Sequence, residues 1–307
     1  MESIARSEIT TRLGPVLDGF HDRLQKVPSV AVVDEMIREL GAFYDLAVQS
    51  SALADFRTIC RTHPVHRMAL QDPFTARAFD KPRGYAGDAV MLDYIYRPGH
   101  LQLTELGAAI HFMTTGVSAA KSILWRRDHL GCEISKTVDR VRNARILSVA
   151  SGHLRELDIV RSTIPQRDFE IVALDQDGAS LQEAVNSNPD FNVNPMNRSI
   201  SYLFKSRNDV TYDLIYSAGL FDYLPAETAS ALLSRLVGML APSGRLLVGN
   251  YAPENYGRGY MEGMMGWTLI YRSETGFEAL LSSSRDRRVY RDEPGNVIYL
   301  EVSTHWS

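Results

Sequence analysis

From residue 143 onward, short apolar runs alternate with helical patterns. "RILSVA", "EIVALD", "YDLIYSAG" and "GRLLVGNY" read as strands, and "ASLQEAVNS" and "AETASALLSRLVGMLAPSG" read as helices. No other feature constrains the fold as much. Strand alternating with helix predicts a parallel sheet covered on both faces, an α/β fold. Pro225 stands near the start of the last helix, and Pro242 with Gly244 is expected to end it. "RRVYRD" and "VIYLEVS" flank the turn signal "EPGN", which predicts an antiparallel hairpin at the sheet edge.

The first half has a different texture. In "VAVVDEMIRELGAFYDLAV" the residues Val33, Ile37, Leu40, Tyr44 and Ala47 share one helical face, with Ser29 as the expected N-cap. "LTELGAAIHFMTTGVSAAKSILWRRDHL" is a second long helical pattern with glycine interruptions. Between them lies the irregular "HPVHRMALQDPFTARAFDKPRGYAGD". The expected organisation is a helical domain over 1–130 and an α/β domain over 131–307. A chain of 307 residues with 45% hydrophobic and 23% charged residues can bury a sizeable core. Its net charge of −4 lacks the basic excess that neutralises phosphates, which sets nucleic acid aside as a partner. Cys60 and Cys132 form no metal-binding spacing, and His63 and His66 have no ligand partners at suitable spacing, so no metal is expected. The cysteines read as free thiols of a reducing compartment. No apolar leader or membrane-length run occurs. The expectation is a cytoplasmic chain without stable membrane insertion.

Arg145 to Asp158, "RILSVASGHLRELD", holds the turn where chemistry is expected. In open α/β sheets, ligands bind beyond the C-terminal ends of the strands. Gly152 lets backbone approach a ligand. Asp175 ends the next strand 23 positions later, a separation at which a carboxylate meets both hydroxyls of a ribose. No GxGxxG or GxxxxGK[ST] is present. Ala150, Gly152 and Leu154 stand where three glycines would. Leu154 is expected to obstruct a pyrophosphate, whereas a nucleoside without phosphates needs less room. This favours S-adenosylmethionine over NAD or ATP.

Taken together and in order, "ILSVASGHLREL", "IVALDQDGASLQEA", "YDLIYSAGLFDYLP" and "LAPSGRLLVGNY" resemble the motifs of the class I S-adenosylmethionine-dependent methyltransferases. Ser148 replaces the acid often found in the first motif. The resemblance implies a Rossmann-like sheet of order 3-2-1-4-5-7-6, preceded here by the helical domain. It implies that backbone at Ala150, Ser151, Gly152 and His153 meets the methionine part of the cofactor. Asp175, with Gln176 beside it, would hold the ribose, and Ser199 and Ile200 would meet the adenine. Ser217, Ala218 and Gly219 would let backbone approach the methyl donor. "KPRGYAGD" with "MLDYIY", and "SAGLFDYL", are similar to a bacterial subgroup credited with making 3-hydroxypalmitic acid methyl ester, a diffusible quorum signal.

Four residues are expected to act on the acceptor. Arg83 and Tyr85, in a lid-like glycine-flanked loop, would orient it, and Asp222 and Tyr223 would stand at the catalytic edge. The alternative for "LFDY" is that Phe221 packs in the core and Asp222 caps a helix. "NYGRGYMEGMMGWTLIYRSE" either walls an acyl-chain pocket or packs as core. A carboxylate acceptor needs no general base, and no His–Asp pair is evident in the sequence, which favours esterification of a fatty acid. A methyltransferase on another small metabolite and a non-catalytic cofactor-binding regulator are the alternatives. Residues 1–50 either fold against the rest or pair two copies into a homodimer.

Overall fold

The computed structural model describes residues 2–164, 168–205, 210–281 and 286–303. The chain divides into two compact units. One comprises 1–121 and 255–268, and the other comprises 122–254 and 269–307. The expected boundary near residue 130 gives way to one at 121/122, and the second unit is not contiguous.

The helical unit contains α1 (Glu2–Lys26), α2 (Val30–Gln49), α3 (Leu53–Thr62), α4 (Val65–Ala69), α5 (Pro73–Asp80), α6 (Ala89–Tyr96) and α7 (Glu105–Gly116). The apolar face expected of α2 is buried at Val33, Ile37, Leu40, Tyr44 and Ala47. Ser29 is its N-cap residue, although its side chain makes no capping hydrogen bond. Residues 255–268 return to this unit and form a short helix, Arg258–Gly263. Tyr260, Met261, Met264, Met265 and Trp267 are all buried, so this aromatic and methionine-rich stretch is core. Glu262 is buried within it. It accepts from Tyr44 Oη at 3.0 Å and pairs with Arg57, which supplies the cation that a buried carboxylate requires. Gly259 crosses α2 so closely that a Cβ there would stand 2.2 Å from the Leu40 carbonyl oxygen.

The second unit begins within α8 (Ser118–Arg140) and continues through β1 (Ala144–Val149), α9 (Leu157–Thr163), β2 (Phe169–Asp175), α10 (Gly178–Ser187), β3 (Asn192–Asn197), α11 (Ser201–Lys205), β4 (Tyr212–Ser217), α12 (Ala226–Val237), β5 (Leu240–Tyr251), β6 (Arg287–Arg291) and β7 (Val297–Ser303). Among the described residues, seven strands form one sheet of order β3-β2-β1-β4-β5-β7-β6. The first five are parallel, and β7 runs antiparallel to both β5 and β6. This is the expected class I methyltransferase topology, including the final hairpin. β1, β2 and β4 are buried along nearly their whole length, which is why they read as continuous apolar runs. β3, at one edge, is mostly exposed and tolerates Pro195. One face of the sheet buries Leu147, Val149, Val172, Leu174, Ile215, Leu246 and Val248 in a common core with Leu232, Leu233 and Leu236 of α12.

The end of α12 differs from expectation. The helix stops at Val237, with Gly238 as its C-cap, and Pro242 lies inside β5. The β4–β5 register shifts between Tyr212 and Leu214, and an irregular stretch of ladder of this kind accommodates a proline.

Gly259→Ala should destabilise the helical unit by roughly 1–3 kcal/mol, because backbone rather than a movable side chain blocks the added methyl. Thermal unfolding of the variant beside wild type measures this.

Candidate functional site

The C-terminal ends of β1, β2 and β4 converge. Ser151 N donates to Leu174 O at 3.2 Å, joining the turn after β1 to β2. Gly152 N donates to Asp175 Oδ2 at 2.9 Å, and Asp177 N donates to Asp175 Oδ1 at 2.9 Å. Arg198 N donates to Asp175 O at 3.0 Å, which brings in the loop after β3. Ser217 Oγ donates to Val149 O at 2.8 Å, which ties the end of β4 to β1.

The turn itself is strained. Ala150, Gly152 and Leu154 have φ of 56°, 55° and 52°. These are the three positions at which a glycine-rich phosphate loop would carry its glycines. The chain adopts the conformation that glycine supplies freely, and does so with alanine and leucine at a cost of about 1–2 kcal/mol each. Hydrogen bonds at Ser151 and Gly152 hold the strained backbone. Leu154 turns its side chain into the interior, where it is 1% exposed. Ser151 Oγ is buried and makes no hydrogen bond among the described residues.

Asp175 is buried, and burial pushes its carboxyl above the ordinary aspartate value; the amides of Asp177 and Gly152 oppose that rise. Gln176 is exposed, and its carbonyl accepts from Asn197 Nδ2 at 3.0 Å. Ser199 is exposed and bonded to the Ser201 hydroxyl at 2.7 Å, and Ile200 packs partly against the core. His153 is buried, with Nδ1 3.3 Å from Arg155 Nη2.

At the end of β4, Phe221 is fully buried in the core and Asp222 is buried beside it. Asp222 Oδ1 accepts from Tyr251 N at 2.6 Å, and its carbonyl accepts from Ile270 N at 2.7 Å. Its carboxylate thus ties the turn after β4 to β5. Tyr223 is half-buried. Arg83 and Tyr85 belong to the helical unit, in the loop between α5 and α6, and both are half-buried. That loop is fixed by Lys81 and Gly84 at φ 50° and 88°, and by Asp88, which caps α6 and pairs with Arg77 through two contacts of 2.8 Å.

The motifs gave no sign of Arg126. It lies on α8, is 9% exposed, and donates from Nη1 to Ala218 O at 3.0 Å. Its charge acts on Asp222 and on the buried Glu156. Glu156 in turn accepts from Tyr216 Oη at 2.5 Å. Only "LWRRDHL" on an apolar helical pattern marked the position, and a buried arginine there looks like any charge on a helix.

No protein-family model matches the chain, and no curated protein matches it in sequence. Solved structures do. A possible exported protein from Bordetella parapertussis superposes with a TM-score of 0.61 at 17% identity, over 83% of this chain and 96% of that one, so the two share a fold. The plantazolicin methyltransferase BpumL, in complex with S-adenosylhomocysteine, gives 0.48 at 10% identity over 78% and 97% of the two chains. Magnesium protoporphyrin IX methyltransferase from Synechocystis PCC 6803, with S-adenosylmethionine bound, gives 0.44 at 12% identity over 70% and 95%. No helix among the described residues is long and apolar enough to cross a membrane.

Burial raises the Asp222 carboxyl from an aspartate's ordinary 3.8 to about 6, while the Tyr251 amide, Arg126 and Arg272 limit the rise. Between these values the folded chain binds a proton that the unfolded chain does not. The stability tied to this group is therefore present below pH 4 and is lost as pH rises through 6. That loss is about 3 kcal/mol. Asp222→Asn should flatten this part of the profile, as measured by urea unfolding from pH 4 to 7.

Proposed function

We propose that the chain is an S-adenosylmethionine-dependent methyltransferase acting on an oxygen of a small molecule. The observation that carries this is Asp175: a buried carboxylate at the end of β2, held under the strained turn by the Gly152 amide. Each carboxylate oxygen accepts one amide and retains acceptor capacity for a ribose hydroxyl. The unbonded Ser151 hydroxyl fits the polar amino-acid end of such a cofactor. The backbone of Ala150, Ser151, Gly152 and His153 would line it, and Ile200 would flank the adenine. When bound, S-adenosylmethionine supplies a methyl group already activated by its sulfonium.

The protein's own task is alignment. Ser217, through Val149, fixes where the backbone at Ala218 and Gly219 stands. Arg126 donates to the Ala218 carbonyl and brings a buried positive charge to that edge. An acceptor-orienting role for Arg83 and Tyr85 rests on the sequence reading of their glycine-flanked loop. Asp222 holds the turn after β4 against β5. The finer assignment, esterification of a fatty-acid carboxylate to give a quorum-type methyl ester, rests on the sequence resemblance of "KPRGYAGD" and "SAGLFDYL".

Calorimetric titration of S-adenosylmethionine into wild type beside Asp175→Ala tests the proposal. The expected result is binding by wild type and at least a tenfold loss in the variant. Well-folded wild type that binds nothing, with or without candidate acceptors present, would overturn it.

A further inference from the structure

The strained turn after β1 carries one side chain that folding does not account for. Among the described residues, Ser51, Lys81, Asn143, Ala150 and Leu154 are not glycine yet have φ between 50° and 56°. Ser51 and Lys81 stand at the C-terminal ends of α2 and α5, where the left-handed conformation closes a helix. The closing bonds are present, Ala52 N to Ala47 O at 2.8 Å and Lys81 N to Arg77 O at 3.0 Å. Asparagine, at 143, is a residue type that visits this conformation routinely. Leu154 buries its whole side chain, and that burial offsets the strain. Ala150 has none of these compensations. It follows a strand, and it is exposed. Glycine would take the same backbone conformation freely, and the alanine methyl group gives the folded chain no burial in return.

The position of this methyl group supplies a use for it. Ala150 directly follows Val149, the last residue of β1. It is two residues from Gly152, whose amide holds the Asp175 carboxylate at 2.9 Å. It is therefore exposed beside the group assigned to the ribose. Alanine is the smallest residue that brings a methyl group to such a point, and a β-branched or bulky one does not accept this φ.

We infer that the Ala150 methyl group is a specificity-determining contact for the aliphatic chain that joins the sulfur of the cofactor to its amino acid. The inference rests on the methyltransferase reading of the site and adds a side-chain role to it. A ribose held by Asp175 leads its 5′ substituent to the turn. There the exposed methyl group covers the methylenes of the chain and removes apolar surface from water on both partners. Only ligands that carry the chain make this contact, so the turn separates them from nucleosides that end at the sulfur. Part of the strain at Ala150 is thus offset in the complex and not in the free protein.

The test is Ala150→Gly beside wild type, with two ligands. S-adenosylhomocysteine carries the chain. 5′-Methylthioadenosine has the same nucleoside and sulfur without it, and is measured in competition with the first. Relief of strain should raise the melting temperature of the free variant by about 1–4 °C. Calorimetry should show S-adenosylhomocysteine bound about threefold to fivefold more weakly by the variant, the loss expected for one buried methyl group. The affinity for 5′-methylthioadenosine should stay the same. A lower melting temperature, an unchanged affinity for S-adenosylhomocysteine, or an equal loss for both ligands would overturn the inference and leave the methyltransferase proposal standing. Wild type that binds neither ligand would overturn both, so the two failures are told apart by the wild-type titration.

Discussion

Gly152 N–H donates to the Asp175 carboxylate, and the site is organised around that bond. It joins the turn after β1 to the end of β2, the two central elements from which a crevice at this sheet edge is built. Three left-handed residues in five make the turn costly, and the costs at Ala150 and Leu154 fall on side chains that do not favour the conformation. The Ser151 bond to Leu174, the Gly152 bond to Asp175 and the buried Leu154 side chain together hold the backbone there. A carboxylate fixed by backbone amides keeps a constant position without a cationic partner. Each of its oxygens retains acceptor capacity.

The strand pattern made the sheet legible in the sequence because β1, β2 and β4 are buried on both faces, and the apolar runs follow directly from that burial. The hairpin was legible from "EPGN", where Gly295 takes φ 83°. The turn was legible as well: Ala150, Gly152 and Leu154 were picked out by position, and backbone geometry, more than residue type, is what they share with a glycine-rich loop. Other features depend on contacts remote in sequence. Residues 255–268 gave no local sign that they return to the helical unit. The partners of the buried Glu262, Tyr44 and Arg57, are more than 200 positions away. Asp222 looked catalytic because it follows β4, and only the Tyr251 amide shows where its carboxylate points.

The same limit hid the Asp72–His111 pair of the helical unit, in which Nδ1 lies 2.8 Å from Oδ1. Its members are 39 positions apart, in an irregular stretch and in the middle of a helical pattern. The absence of an evident His–Asp pair had favoured a carboxylate acceptor. The Asp72–His111 contact is such a pair.

The most direct measurement is a crystal structure of the protein grown with S-adenosylhomocysteine. The account predicts ribose hydroxyls on Asp175, the amino-acid end against Ala150 to His153, and the Gly152–Asp175 bond intact. A nucleoside bound elsewhere, or well-ordered crystals in which this edge stays closed to it, would contradict the account.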